Sequence, residues 1–260
     1  MASRLIAHGS PTTEYFTFDS LTALGVPNAT TTKHCPGISS FAEPIVPESP
    51  KPPFRAEAER VLGAAGLEMA RVSYARQVHG SEAARVPAGG GFAGLVDIMV
   101  TAERRVPLAI FTADCLAIVL CDPAAHALAV AHVGWRGTVK GATHRAVQAV
   151  TEAGARPGAL RVAIAPSIGP CCYEVDAPVI ERFEAEFPGR WRSWVTATGP
   201  GKWMLDLWRA NVEQLRMDGL DPARIDTLGL CTSCRADLFY SYRRGRGQGR
   251  LVAVAALPPC

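Results

Sequence analysis

A histidine, a cysteine and a second histidine stand at positions 79, 115 and 132 of this 260-residue chain. Each sits among small or turn-forming residues: Gln77-Val78-His79-Gly80, Ala113-Asp114-Cys115 and Ala131-His132-Val133-Gly134-Trp135-Arg136-Gly137. Imidazole nitrogen and thiolate sulfur suit a borderline-soft ion such as zinc. Copper binds such donors more strongly still and is the alternative. Three protein ligands leave one position open, which is the arrangement of a catalytic rather than a structural metal. The separations are too long for a local zinc finger, so the three side chains must converge through the fold.

Neighbouring residues extend this candidate site. Asp114 could act as general acid or base beside a metal-bound thiol, or be a plain turn aspartate. Lys33, Arg76 and Arg136 are cations close to the motifs and could hold an anion such as phosphate, with local salt bridges as the duller reading. Gln77 is a further candidate for substrate contact. Cys115 with His132 and Asp114 could also form a nucleophilic thiolate–imidazole pair that needs no metal. Four other histidines compete as ligands. His8 lies near the N-terminus, His126 follows the Asp122-Pro123 turn, and His144 sits on the polar side of a helix. His34, in a polar loop, stays open as a ligand.

The chain has eight cysteines but is too long for a small disulfide scaffold. In a reducing compartment such thiols tend to be buried, metal-bound or catalytic. Cys231 and Cys234 form a single C-x-x-C, a weak zinc signal without a second pair. The adjacent Cys171 and Cys172 read as buried thiols. Hydrophobic residues make up 48% and charged residues 20%, with a formal net charge of +3, too small to argue for nucleic acid or an anionic membrane. The basic stretch Arg243–Arg250 reads as a solvated Gly-rich hairpin loop, with phosphate or substrate contact as its alternative. No apolar run reaches the roughly 18–20 residues that cross a bilayer. The first residues lack the apolar core of a secretory signal. A cytoplasmic location is the expectation.

The elements that must position these residues follow from periodicity. Residues 1–14 read as an irregular tail, and residues 15–260 as one domain. A strand and turn are expected over Tyr15–Leu24, a Pro-rich loop over 34–54, and a helix over Phe54–Gly66. Short β-type runs follow at Arg71–Val78, Asp97–Thr101, Leu108–Thr112, Leu116–Cys121 and Ala127–His132. Helices are expected over Thr138–Gly154, Val179–Phe187 and Asp206–Gly219. Further strands are expected at Arg161–Ala165, Ile225–Leu230, Leu238–Tyr242 and Leu251–Leu257. Strands and helices interleave without strict alternation, which implies an α+β domain of mixed sheets flanked by helices. Four of the tryptophans, Trp191, Trp194, Trp203 and Trp208, cluster within one stretch and read as core or pocket wall, with an interface as the lesser option.

Five ordered motifs carry a resemblance: RQVHG at Arg76–Gly80, TADCLAIVLCDP at Thr112–Pro123, AHVGWRGTVKG at Ala131–Gly141, IGPCCYEV at Ile168–Val175 and CTSCRADLFYSYRR at Cys231–Arg244. In these the chain resembles the bacterial YfiH-like family of laccase-domain proteins, over about Thr30 to Leu257. The resemblance implies a single domain of mixed sheets and a zinc site at His79, Cys115 and His132. It implies phosphorolysis of adenosine, inosine, guanosine and methylthioadenosine to base and pentose-1-phosphate, together with adenosine deamination. Nucleoside and phosphate would be its small-molecule partners, with the oligomeric state left open. The alternative label, a copper-dependent polyphenol oxidase, needs several copper centres and about ten histidines, and this chain has six. Two departures stand out. Thr32-Lys33-His34-Cys35-Pro36-Gly37-Ile38-Ser39 has Lys33 where the family carries an arginine, losing the bidentate fork. Arg235-Ala236-Asp237 replaces a stretch that usually contains asparagine.

Overall fold

The computed structural model describes residues 5–38, 50–246 and 249–259. Much of the expected 34–54 loop, Ser39 of the Thr32–Ser39 segment, and Cys260 lie outside them.

The apolar runs become strands buried on both faces, because each is sandwiched between two apolar layers. Leu116, Ile118 and Leu120 of the Leu116–Asp122 strand face one core, while Ala117, Val119 and Cys121 face another. The Ala127–Val133 strand pairs antiparallel with it and divides in the same way: Ala127, Ala129, Ala131 and Val133 on one side, Leu128 and Val130 on the other. Strict side-chain alternation along a strand makes this two-way sorting possible.

These two strands lie at the centre of a six-stranded sheet ordered Ile225–Thr227, Arg161–Ile164, Leu116–Asp122, Ala127–Val133, Ile98–Thr101, Ala83–Arg85. A seven-stranded sheet runs Leu5–His8, Tyr15–Phe18, Asn28–Thr31, Leu251–Ala255, Leu108–Thr112, Ser73–Tyr74, Gly91–Phe92. Leu108, Ile110, Ala253 and Ala255 of this second sheet share a core with Val119 and Val130 of the first. The two sheets are therefore stacked. The outer face of the seven-stranded sheet, through Phe111, Val252 and Val254, packs on the Ala56–Gly63 helix. The outer face of the six-stranded sheet packs on the Ala142–Glu152, Ala177–Glu186 and Leu207–Met217 helices. Four layers result, and the α+β mixture of sheets flanked by helices agrees with expectation.

Several expected elements shift. Leu5–His8, inside the expected irregular tail, is an edge strand paired antiparallel with Tyr15–Phe18. The expected Arg71–Val78 strand shortens to Ser73–Tyr74. The expected Thr138–Gly154 helix starts earlier and splits into Trp135–Val139 and Ala142–Glu152, because Gly141 adopts a left-handed φ of 72° between them. Asn211 rejoins the halves: its amide oxygen accepts from Thr143 at 2.6 Å, and its amide nitrogen donates to Thr138 at 3.0 Å. No strand forms at Leu238–Tyr242. Ser241 instead caps a short helical turn, Tyr242–Gly245, by accepting the Arg244 N–H, so the basic stretch begins as helix rather than as a hairpin. Trp194 is buried, and Trp191, Trp203 and Trp208 pack against the same core. Sequence patterning missed a small third sheet of Glu174–Asp176, Lys202–Leu205 and Val195–Gly199. None of the helices among the described residues is long and apolar enough to cross a membrane.

Candidate metal centre and its cleft

His79, Cys115 and His132 converge, each offering one ligand atom, all within 4.8 Å of one another. Their positions follow from the stacked sheets. His132 is the penultimate residue of the Ala127–Val133 strand. Cys115 lies where the chain leaves the seven-stranded sheet after Thr112 and enters the six-stranded sheet at Leu116. His79 sits in the loop after the Ser73–Tyr74 strand, at a left-handed φ of 57°. The two imidazole rings stand edge to face with centroids 4.8 Å apart.

Asp97, wholly buried just ahead of the Ile98–Thr101 strand, organises both histidines. One carboxylate oxygen accepts the His79 N–H at 3.0 Å and contacts His132 Nδ1 at 2.7 Å. The other accepts the N–H groups of Val78 at 3.1 Å and Gly80 at 2.7 Å. With Nδ1 engaged, Nε2 is the nitrogen left to His132 as a ligand, the usual arrangement of a carboxylate behind a metal-binding histidine. The left-handed backbone at His79 is held by these same bonds. Gly134 makes the space. Its φ of −88° needs no glycine, but a Cβ there would lie 2.8 Å from Cys115 Sγ and 3.5 Å from His79 Cδ2.

The electrostatics match a ligand set. Burial alone would raise the Cys115 thiol, but the charge of His132 and hydrogen bonds from both histidines bring it down to about 6. Burial alone would lower His132, yet the Cys115 thiolate and Asp97 raise it to about 9. Burial also works against the Asp97 carboxylate, and the bonds from His132, Gly80 and Val78 outweigh it and hold the group below its ordinary value. By contrast, burial pushes the Cys35 and Cys121 thiols up to about 12, the behaviour of inert core cysteines.

The three ligands line a cleft of about 520 Å³, within the range that takes a small organic molecule. Trp135, Tyr173 and Tyr242 give it aromatic walls, and Arg136, Arg243 and Arg250 give it positive charge. Arg136 stacks on Trp135 with its guanidinium carbon 4.5 Å from the ring centroid, and Arg243 lies 5.1 Å from that of Tyr173. Burial raises the Tyr173 phenol, so it stays protonated as a hydrogen-bond donor.

The other expected site residues fall differently. Gln77 lines the cleft, but both ends of its amide clamp the Phe111 backbone, each at 2.8 Å. Asp114 lines it too, at a left-handed φ of 90°. One of its oxygens accepts the Thr232 hydroxyl at 2.6 Å and the other the Arg243 N–H at 2.7 Å, so the side chain anchors the Arg243 segment rather than standing free as a proton shuttle. Lys33 and Arg76 are not among the lining residues. Lys33 Nζ donates to the Ala236 carbonyl at 2.6 Å, and Arg76 is exposed beyond the rim with its N–H on Gly94. Proximity in sequence to a motif did not place them in the cleft. The remaining histidines are engaged elsewhere: His8 with Thr17, His34 with the Asp237 carbonyl, His126 with Arg104 and His144 with Asp218. Sequence reasoning missed Asp97, Tyr173 and Tyr242, while Arg243 and Arg250 belong to the basic stretch whose alternative reading was phosphate or substrate contact. A buried Asp between apolar strand residues was the one signal for Asp97.

A family model described as multi-copper polyphenol oxidoreductase laccase matches residues 53–258. The chain belongs to this laccase-domain, YfiH-like family. A purine nucleoside phosphorylase of Deinococcus radiodurans is 38% identical over 240 residues, covering 90% of each chain. The purine nucleoside phosphorylase YlmD of Geobacillus stearothermophilus is 40% identical over 192 residues, 68% of this chain and 69% of the relative. Solved YlmD from the same organism superposes with a TM-score of 0.83 at 29% identity, covering 98% of this chain and all of that one. The Bacillus licheniformis YfiH structure shares the fold, with a TM-score of 0.83 at 24% identity over 95% and 97% of the two chains. Against the family's multi-copper description, the candidate centre gathers two histidines and one thiol among the described residues.

Proposed function

We propose that this laccase-domain protein is a zinc-dependent purine nucleoside phosphorylase that also deaminates adenosine. The observation that carries the reading is the convergence of His79, Cys115 and His132 in a cleft with aromatic walls and a cationic rim. The names of the relatives support the substrate class. The donor set fits zinc: two imidazoles and a thiol that is readily ionised, with Asp97 fixing one ring. When bound, the ion would supply Lewis acidity and an activated water.

The chain's own residues do the rest. Trp135, Tyr173 and Tyr242 offer flat surfaces for a purine and exclude water around it. In phosphorolysis the C1′–N9 bond breaks, a phosphate oxygen bonds to C1′, and the departing purine must accept a proton or a hydrogen bond. Arg136 and Arg243, rather than Lys33 and Arg76, hold the phosphate, because the first pair lines the cleft. We assign the donation to the departing base to the Tyr173 phenol, which lines the cleft and stays protonated. Asp114 fixes Arg243 through its backbone N–H. In deamination, adenosine and water give inosine and ammonia in the same cleft.

One observation favours a second reading. Cys115, His132 and Asp97 form a thiolate, an imidazolium and an orienting carboxylate, the pieces of a metal-free cysteine nucleophile. Metal analysis with a product assay separates the two. Protein purified without added metal is assayed for zinc and copper, then incubated with adenosine and phosphate. Zinc bound at this centre, with inosine, free base and ribose-1-phosphate, is the expected result, and Cys115→Ala should abolish both activities. Full turnover after complete chelation would favour the nucleophile. Copper with phenol oxidation and no nucleoside turnover would favour the oxidase.

A further inference from the structure

Cys171, Cys172, Cys231 and Cys234 come from two segments far apart in sequence, yet their four sulfur atoms all lie within 4.8 Å of one another. Cys234 Sγ is 3.4 Å from both Cys171 Sγ and Cys172 Sγ. A zinc ion with sulfur at about 2.3 Å in tetrahedral array requires sulfur–sulfur separations of roughly 3.8 Å. A disulfide pairs two sulfurs at about 2.05 Å. One sulfur equidistant from two others, with a fourth nearby, describes a shared centre rather than a pair.

The backbone is also arranged for thiolate. The N–H of Gly169 donates to Cys231 Sγ at 3.3 Å, and the N–H groups of Ser233 and Cys234 bond to the same sulfur. Gly169 is required there, because a Cβ would meet the Trp208 ring at 2.6 Å and Cys171 Sγ at 3.3 Å. The two segments are further laced by the Ser167 N–H to the Leu230 carbonyl and the Thr232 N–H to the Ser167 carbonyl.

We propose that these four cysteines form a second metal site, a closed tetrathiolate that takes zinc and has a structural role. Four protein ligands leave no open position for substrate. The site clamps the 171–172 loop to the 231–234 turn. Tyr173 follows the first segment directly, and Thr232, which holds Asp114, lies inside the second. The metal therefore sets one wall of the cleft from outside it. This inference does not depend on the reaction assigned to the cleft.

The test uses full-length protein purified under reducing conditions: wild type, Cys115→Ala, the Cys171→Ser/Cys234→Ser double variant, and all three changes together. Metal is measured by elemental analysis. The double variant should lose one equivalent from either background, and the triple variant should retain none. Cobalt loaded into Cys115→Ala protein should give strong thiolate-to-cobalt charge transfer, and X-ray absorption on its zinc form should show four sulfur ligands at about 2.3 Å. Cys115→Ala protein that binds no metal overturns the proposal without any need for the serine variants to fold. So does metal content unchanged by the serine substitutions, or a reduced-purified chain whose mass and thiol count reveal a disulfide among the four. Failure of the cleft chemistry alone would leave the four-sulfur signal intact.

Discussion

Asp97→Asn keeps the shape of a buried side chain and removes the charge that holds the His132 ring and three backbone N–H groups. Chelator competition should show metal affinity about 10–100-fold weaker, the usual effect of losing a carboxylate behind a ligating histidine. The pH dependence has a fixed sign. The Asp97 carboxylate is held below its unfolded value of about 3.9, so its contribution to stability is present above that value and fades as pH falls through the lowered folded value. The asparagine variant should lack this acid-side component of unfolding. Cys115 offers a second residue-scale prediction. In metal-stripped protein its alkylation rate should rise with a midpoint near pH 6, while Cys35 and Cys121, pushed up to about 12, stay silent. Zinc should block the reaction, and a midpoint in the ordinary thiol range would dissolve the pairing with His132. Between about 6 and 9, folding only moves a proton from Cys115 to His132, so this pair adds almost no slope to stability there.

Elements carry the residues, and small changes at their ends should disable the cleft selectively. Gly134 joins the Ala127–Val133 strand to the Trp135–Val139 helix. Gly134→Ala introduces no backbone conflict, but its methyl lands on Cys115 Sγ. Metal content and turnover should collapse, while the thermal midpoint, compared between the metal-free proteins, moves little. Thr232→Val removes the hydroxyl from Asp114 with little change of shape. It should cost about 1–3 kcal/mol by denaturant titration, the price of a buried acceptor left unpaired, and raise the KM for phosphate through Arg243. The same elements show what the sequence could disclose. The Leu108–Thr112 strand was legible because its first four residues, Leu108 to Phe111, are an unbroken apolar run and turn signals bound it. His79, Cys115 and His132 were legible as donors at turns. Asp97 was not, because its role exists only once two distant loops reach it. The basic 243–250 stretch looked solvated, and only the Ser241 cap and the Asp114 anchor turn Arg243 into the cleft. The cysteine pairs were too far apart in sequence to read as one cluster.

At the scale of the molecule, the candidate centre lies at the junction of the two stacked sheets, with a ligand beside each and one on the crossing between them. Ile110, wholly buried between the sheets, should cost about 2–5 kcal/mol when cut to alanine, read as a lower urea midpoint at unchanged slope. Metal in the centre should stabilise the whole cooperative transition, by about 2.7 kcal/mol at a hundredfold excess over Kd, so chelation should lower the Tm of the entire fold. Asp97 adds something of a different kind. Its four hydrogen bonds come from the fold itself, so the cluster is a preset socket that an ion enters without reorganising the chain. Loading should follow simple bimolecular kinetics, linear in metal concentration and free of a slow conformational phase. Donor chemistry alone favours copper over zinc in a socket of nitrogen and sulfur, so its occupant is set by the geometry that the socket holds fixed and by supply. One and the same scaffold could thus acquire a copper reputation in one setting and a zinc reputation in another.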